Sequence, residues 1–340
     1  MKKRAAIRAV TSFLPAGKLT NEQLAEEFGD LHAAQIFGKT GVAVRSVAAT
    51  DECASDLGVA AARHLFESGA CSPHDIDFLI FCTQSPDYFS PTSACVMQDR
   101  LGVRTNCGAI DFNQGCSGYV YGLALAKSLV QTGTAANVLL ITGDTYTKFI
   151  NPRDRSVRTL FGDGASATLI GLLEAEQELI GPFIFGTDGR GAREIIVPAG
   201  GLRCPATADT AIERVDENGN WRSEQNLYMN GAEVFNFAIR TVPGAMDQLL
   251  QKCQLTLDQV DFVILHQANK FMLERLRARM KIRPERFWID MENCGNTVSS
   301  TIPIALESAR RQGRVRTGDR VALIGFGVGY SWAATMVEIV

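Results

Sequence analysis

Residues 111–131 read DFNQGCSGYVYGLALAKSLVQ, and the way this stretch folds decides the architecture of the whole chain. The apolar run Cys107 to Phe112 is ended by Asn113, Gln114 and Gly115. From Ser117 onward, Val120, Leu123, Ala124, Ala126, Leu129 and Val130 recur at helical spacing. A strand that stops abruptly and re-enters as a helix puts Cys116 at the helix N-terminus, between Gly115 and Gly118. Unpaired backbone N–H groups and the positive end of the helix dipole favour a thiolate there, so a lowered thiol pKa is expected. Small neighbours let a substrate approach the sulfur. A cysteine also packs well as an inert, small apolar residue. The strand-to-helix elbow is where nucleophiles are exposed, and the rest of the chain must decide between the two readings.

Working outward, Asp75 to Cys82 reads as a fully apolar strand of the buried, parallel type. A polar loop with two prolines, Ser85 to Thr92, and a short helix, Ala94 to Leu101, lead from it to the Cys116 unit. Downstream, Asn137 to Thr142 is a second buried strand, and Phe161-Gly162-Asp163-Gly164 leads into a third, Ala165 to Leu172. At the N-terminus Met1-Lys2-Lys3-Arg4 precedes Ala5 to Val10. Arg8 interrupts that apolar run and no cleavage-like site follows, so it reads as a first strand and not as a signal peptide. Asn21 to Phe37 is expected to be one helix carrying Leu24, Phe28, Leu31 and Ile36 on one side. Glu52 to Ser68 is another, ending at Gly69. Helices alternating with apolar strands mean an α/β protein.

The second half repeats the first. Asp77-Phe78 opens one apolar run and Asp261-Phe262 opens another, and the offset between these pairs nearly equals that between Cys116 and Asn296. A helix follows each of the latter two positions, reaching Gly133 and Gly313, and then come the buried strands Val138 to Thr142 and Val321 to Gly325. Weak identity with consistent spacing is the pattern of an old internal duplication, with an N-terminal half 1–175 and a C-terminal half 176–340. Between them, Gly181 to Asn220 reads as loops and short strands. A helix from Gly231 to Lys252 carries Val234, Phe237, Ala238, Val242, Met246 and Leu249 on one face; Pro243 inside it is expected to kink or break it.

The 340 residues are 46% hydrophobic and 21% charged with a net charge of −3. That is an ordinary globular composition without general affinity for nucleic acid or anionic membranes. No apolar run is long enough to span a membrane. Nine cysteines occur singly, with no metal-type pair or Cys/His cluster. A reduced, cytoplasmic protein without a metal is expected.

Paired halves bring equivalent strand ends together, which is where active sites of such units gather. Cys116, His266 and Asn296 all lie at strand ends or helix starts. His266 ends a buried strand, so desolvation should keep it neutral; by itself it also fits a satisfied core histidine. Asn296, in Gly295-Asn296-Thr297, would serve as a helix N-cap. Gly325-Phe326-Gly327-Val328-Gly329 could be a plain turn or could aim a backbone N–H at the thiol. A Cys, a His and an Asn suit hydrolysis, with His as base and Asn orienting it. They equally suit acyl transfer to the thiol followed by carbon–carbon bond formation, with His and Asn donating to one thioester oxygen. Order and fold pattern favour the second.

Taken together, Thr40-Gly41-Val42, Gly115-Cys116-Ser117-Gly118, Phe161-Gly162-Asp163-Gly164-Ala165, His266-Gln267-Ala268-Asn269, Gly295-Asn296-Thr297 and Gly327 to Trp332 resemble the β-ketoacyl-acyl-carrier-protein synthase III family of the thiolase superfamily. The resemblance spans the whole chain. It implies a thiolase-like five-layered αβαβα fold, a homodimer, and the triad Cys116, His266 and Asn296. Cys116 would take an acyl group from a donor thioester, and His266 and Asn296 would drive decarboxylative condensation with a malonyl thioester of acyl carrier protein or CoA. It also implies an oxyanion hole from the backbone N–H of Cys116 and Val328. Substrate or CoA contacts would fall at Lys39, Arg155, Asn269 and Phe326, and CoA or phosphopantetheine thioesters would be substrates with no cofactor. The chain departs from the family at Gln35, where an adenine-stacking Trp is usual, and at Lys39, usually Arg. Phe271 and Asn236 stand where carrier-docking bases are usual, with Lys270, Arg240 and Arg275 nearby. Val328 replaces a glycine, and Ser90 replaces the Phe that enters the partner subunit's acyl pocket. These departures imply a specialised fatty-acid or polyketide-type pathway. A non-decarboxylating acyltransferase and a non-catalytic partner subunit of a heterodimer are the alternatives on the same fold.

Overall fold

A computed structural model describes residues 2–340. Two five-stranded sheets organise the chain. The first holds β1 (Lys2–Phe13), β2 (Phe78–Cys82), β3 (Gly108–Phe112), β4 (Asn137–Asp144) and β5 (Gly164–Ala175) in the order β1-β5-β4-β2-β3. The second holds β6 (Ile180–Thr187), β7 (Phe262–Leu265), β8 (Phe287–Trp288), β9 (Arg320–Gly327) and β10 (Ser331–Glu338) in the order β6-β10-β9-β7-β8. Raising each label by five converts one order into the other. The directions match as well: three parallel strands, β4-β2-β3 or β9-β7-β8, followed by two antiparallel joins.

The likeness extends to single side chains. A 3₁₀ turn with a capping box, Pro73–Asp75 or Leu257–Gln259, precedes β2 and β7 respectively. Asp77 then accepts from the N–H of Asn137 at 3.0 Å, and Asp261 from the N–H of Arg320 at 2.9 Å. In both halves the repeated Asp ties the start of one central strand to the start of its neighbour. The strands begin at Phe78 and Phe262, shorter than their apolar runs, because these turns use the residues before them.

The helices are α1 (Asn21–Phe28), α2 (Ala33–Thr40), α3 (Ala54–Glu67), α4 (Ser93–Arg100), α5 (Gly118–Gln131), α6 (Arg155–Arg158), α7 (Gly231–Cys253), α8 (Lys270–Arg279) and α9 (Thr301–Arg311). α5 and α9 lie between the sheets and touch strands of both. α3 and α4 cover the outer face of the first sheet; α7 covers that of the second, with α8 packed on it. The layers therefore run helix, sheet, helix, sheet, helix. Three apolar clusters fill the gaps, the middle one built from α5, α9 and strands of both sheets. Burial on both faces is why the central strands are almost continuously apolar.

Three expectations need correction. Asn21 to Phe37 is two helices, because the chain enters the left-handed region at Gly29 (φ 72°) and ends α1 there. α7 runs unbroken through Pro243 to Cys253, held by its buried face of Val234, Phe237, Ala238, Val242, Met246 and Leu249; tertiary packing overrides the proline. Gly181 to Asn220 opens with most of an eight-residue strand, β6, which pairs with β10 at the edge of the second sheet.

Candidate active site

Cys116, His266 and Asn296, far apart in sequence, line one small cavity of about 50 Å³ together with Asn269 and Phe326. Apolar side chains complete its wall, among them Leu160, Phe161, Ile195, Met229, Val234 and Met272. Each polar group arrives at the end of an element. Cys116 sits at the elbow between β3 and α5. His266 follows β7 directly, its N–H bonded to the carbonyl of Ile324 on β9 at 2.8 Å. Asn296 lies in the turn before α9 and is pinned by two backbone bonds to the Phe161-Gly162 segment: its N–H to Leu160 O (2.9 Å), and its carbonyl from Gly162 N–H (3.0 Å). A side chain at Gly162 would place its Cβ 2.0 Å from the Cys294 carbonyl, so only glycine permits this approach.

Asn296 is oriented without ambiguity. Its Oδ1 accepts from the N–H of Val298 at 2.9 Å. An N–H can only donate, so the acceptor must be the amide oxygen, and the NH₂ group is left for the cavity. Val298 itself sits at φ 55°, a conformation costly for a β-branched residue.

His266 is buried, with its ring edge-on to Phe326 (centroids 5.7 Å apart, 85°) and Nδ1 2.7 Å from Thr301 Oγ1. Desolvation lowers its pKa to about 3, so the imidazole is neutral, as expected. The expectation for Cys116 is overturned. Burial pushes its thiol up to about 12, outweighing the hydrogen bonds from the backbone of Val328 and of Cys116 that pull it down. The helix N-terminus cannot ionise a sulfur this thoroughly removed from water. Those same two backbone groups point at the sulfur, and Val328 supplies its own without entering the left-handed region. A Cβ on Gly327 would lie 2.7 Å from the sulfur, so the strand end can press this closely only as glycine.

Of the remaining expected residues, Asn269 caps α8 by accepting from the N–H of Met272 (2.8 Å). Lys39 is exposed in the last turn of α2, a helix that packs on α8. Arg155 is ion-paired with Asp30 (2.7 Å) and lies over the ring of Phe28. Neither cation lines the catalytic cavity. Ser90 lines a second, larger cavity of about 1080 Å³, with Tyr88, Phe89, Asn113, Phe149 and Val328; Ile195 is common to both cavities.

Two buried polar groups near the site escaped the sequence reading. Asp144, fully buried at the end of β4, accepts from the N–H groups of Gln84 (2.8 Å) and Ser299 (3.2 Å) and from the Ser299 hydroxyl, and burial raises its pKa to about 7. A carboxylate closing the apolar run Val138 to Gly143 was a legible signal. Thr301 had none; its role depends on a partner in a different element, His266. No group of three His, Cys, Asp or Glu among the described residues could hold a metal, and no helix there is long and apolar enough to cross a membrane.

Comparison with known proteins gives the family. The family "3-Oxoacyl-[acyl-carrier-protein (ACP)] synthase III" matches residues 110–189, and its C-terminal counterpart matches residues 250–339. The beta-ketoacyl-[acyl-carrier-protein] synthase III of Caldanaerobacter subterraneus subsp. tengcongensis is 36% identical over 334 residues, 98% of this chain and 97% of that protein. That of Clostridioides difficile is 35% identical over 99% of both. Among solved structures, a 3-oxoacyl-(acyl-carrier-protein) synthase III is 54% identical with a TM-score of 0.98, covering 99% of this chain and 100% of its own. The priming β-ketosynthase of the R1128 polyketide pathway is 28% identical with a TM-score of 0.86, over 99% and 97%. The chain belongs to the 3-oxoacyl-[acyl-carrier-protein] synthase III family.

Proposed function

We propose that Cys116 carries the acyl group of a β-ketoacyl synthase III reaction and that His266 and Asn296 stabilise its enolate. In the first half-reaction the sulfur attacks a donor thioester. The Cys116 and Val328 N–H groups receive the oxyanion, and the thiol proton leaves with the departing CoA or carrier thiol. In the second, a malonyl thioester places its carbonyl oxygen between Asn296 and His266. Carbon dioxide departs, and the resulting enolate carbon attacks the acyl-Cys116 carbonyl and releases the sulfur. The observation that carries this reading is the Asn296 orientation: its oxygen is spent on Val298, so what it offers the cavity is a donor. A hydrolase needs Asn to orient His, yet His266 Nδ1 is held by Thr301. A non-decarboxylating acyltransferase would leave the paired donors without an enolate to bind, and a silent partner subunit would not need the triad.

The substrate assignments rest on the same reading. The apolar cavity wall suits the pantetheine arm, Asn269 and Phe326 flank it, and Lys39 on α2 and Arg155 beside the end of α1 would meet CoA phosphates. No cofactor is required, and a cytoplasmic setting suits nine free thiols. A homodimer of two whole chains, each with the duplicated halves 1–175 and 176–340, is supported by β3, a sheet edge with Ile110 exposed, and by exposed Tyr88 and Phe89 beside the larger cavity. Ser90 on that loop would leave room for acyl groups longer than acetyl. The test is to incubate purified protein with acyl-thioesters of increasing length and find by intact mass which ones load, then add malonyl-thioester and measure carbon dioxide. A protein that loads but never releases carbon dioxide would hand the function to the acyltransferase alternative.

A further inference from the structure

A neutral imidazole has one proton for two nitrogens, and the site needs it on a particular one. If Nδ1 holds the proton, the nitrogen facing the cavity is an acceptor and cannot stabilise a thioester oxygen. If Nε2 holds it, the cavity gains a donor. What stands at Nδ1 therefore sets the chemistry of the site. Thr301 Oγ1 is 2.7 Å from Nδ1, and both side chains are buried. The same hydroxyl is also placed to donate to the carbonyl of Val298 at 3.1 Å, and that carbonyl is a hydrogen-bond partner of the ring as well.

A hydroxyl has one hydrogen to give. The imidazole nitrogen is the stronger base of its two candidate acceptors and is also the nearer. Donation to Nδ1 blocks protonation there. We propose that Thr301 is a positioning residue that fixes His266 as the Nε2–H tautomer, turning it into a second donor beside the Asn296 amide. This rests on the condensation reading above. Thr301 occupies the first position of α9, whose preceding turn carries Asn296, so one short segment prepares both donors: Asn296 by binding its oxygen, His266 by capping its far nitrogen.

Removing the hydroxyl has a defined consequence. In Thr301→Val the only polar group left beside Nδ1 is the Val298 carbonyl, which can only accept, so the imidazole proton moves to Nδ1. The chain has four histidines, few enough for nitrogen NMR of ¹⁵N-histidine-labelled resting enzyme, with His266→Gln assigning the signal. Wild type should show a protonated Nε2, and Thr301→Val a protonated Nδ1. Decarboxylation of malonyl thioester should fall about 10²-fold, the usual loss for one oxyanion donor, while acyl loading on Cys116 changes far less. Thr301→Ser should restore both the tautomer and the rate. A protonated Nδ1 in wild type would overturn the proposal, and that reading needs no turnover. So would Nε2–H persisting in Thr301→Val, or Thr301→Ser failing as Thr301→Val does. Because the NMR signal is read without substrate, failure of the condensation reading would leave the tautomer result intact and separately legible.

Discussion

At the scale of the residue, the site is a set of groups made reactive by position and not by charge. His266 is held neutral with a pKa of about 3, against an ordinary value of 6.5. Its folded pKa is depressed, so the unfolded chain binds a proton that the folded chain refuses. Stability from this group is complete above pH 6.5 and is lost as pH falls from 6.5 toward 3. Asp144 has the opposite sign. Its pKa is raised from 3.8 to about 7, so its contribution is present at low pH and fades as pH rises toward 7. The kinetic consequence is specific: decarboxylation by pre-acylated enzyme should show no acid limb near pH 6.5. A pH profile of carbon dioxide release with its midpoint at 6.5 would mean that His266 titrates normally and is more open to water than its packing against Phe326 and Thr301 implies. The helix-terminus argument for an ionised Cys116 failed because it considered the dipole and left out desolvation, which needs the surrounding fold. That fold lies in β9 and the Val328 turn, in the opposite half of the chain.

At the scale of the element, closeness of approach is the recurring device. The end of β9 lies against the sulfur only because residue 327 lacks a side chain. Gly327→Ala should cost about 1–3 kcal/mol through overpacking and should slow acyl loading at least tenfold; unchanged loading measured by intact mass would show that the turn moves away without consequence. In α7, Pro243 leaves the Ile239 carbonyl without its helical donor in the middle of a long helix. Pro243→Ala is expected to stabilise the protein by roughly 1–3 kcal/mol, seen as a higher unfolding midpoint in denaturant; a lower midpoint would mean that the ring's packing outweighs the missing bond. Periodicity made the buried faces of α5 and α7 legible in the sequence, because core contacts repeat every turn. The break at Gly29 was legible too, since glycine ends helices in the left-handed region, but the apolar positions on either side of it disguised one helix boundary as continuity.

At the scale of the whole molecule, the two sheets share one strand order and one pattern of directions, and the near-constant offset between matching positions of the two halves was enough to suggest it. What the spacing could not give was β6, which opens a Gly- and Pro-containing segment and gains its identity only by pairing with β10. The larger cavity beside Ser90, Tyr88 and Phe89 belongs to this scale through the homodimer proposed above, in which the partner's copy of this loop would reach it. Ser90→Phe should reduce loading of long or branched acyl thioesters while sparing acetyl. An unchanged chain-length profile would place the limit of the acyl pocket elsewhere.

The proposed mechanism divides the labour inside one cavity, with the sulfur and two backbone N–H groups serving acylation and Asn296 with His266 serving decarboxylation. The most direct measurement is to run the two half-reactions separately on wild type, Cys116→Ala and Asn296→Ala, following acyl-enzyme by intact mass and carbon dioxide from malonyl thioester. Cys116→Ala should not load. Asn296→Ala should load like wild type and lose carbon dioxide release by about 10²–10³-fold. Acylation that persists in Cys116→Ala, or an equal loss of both half-reactions in Asn296→Ala, would contradict that division.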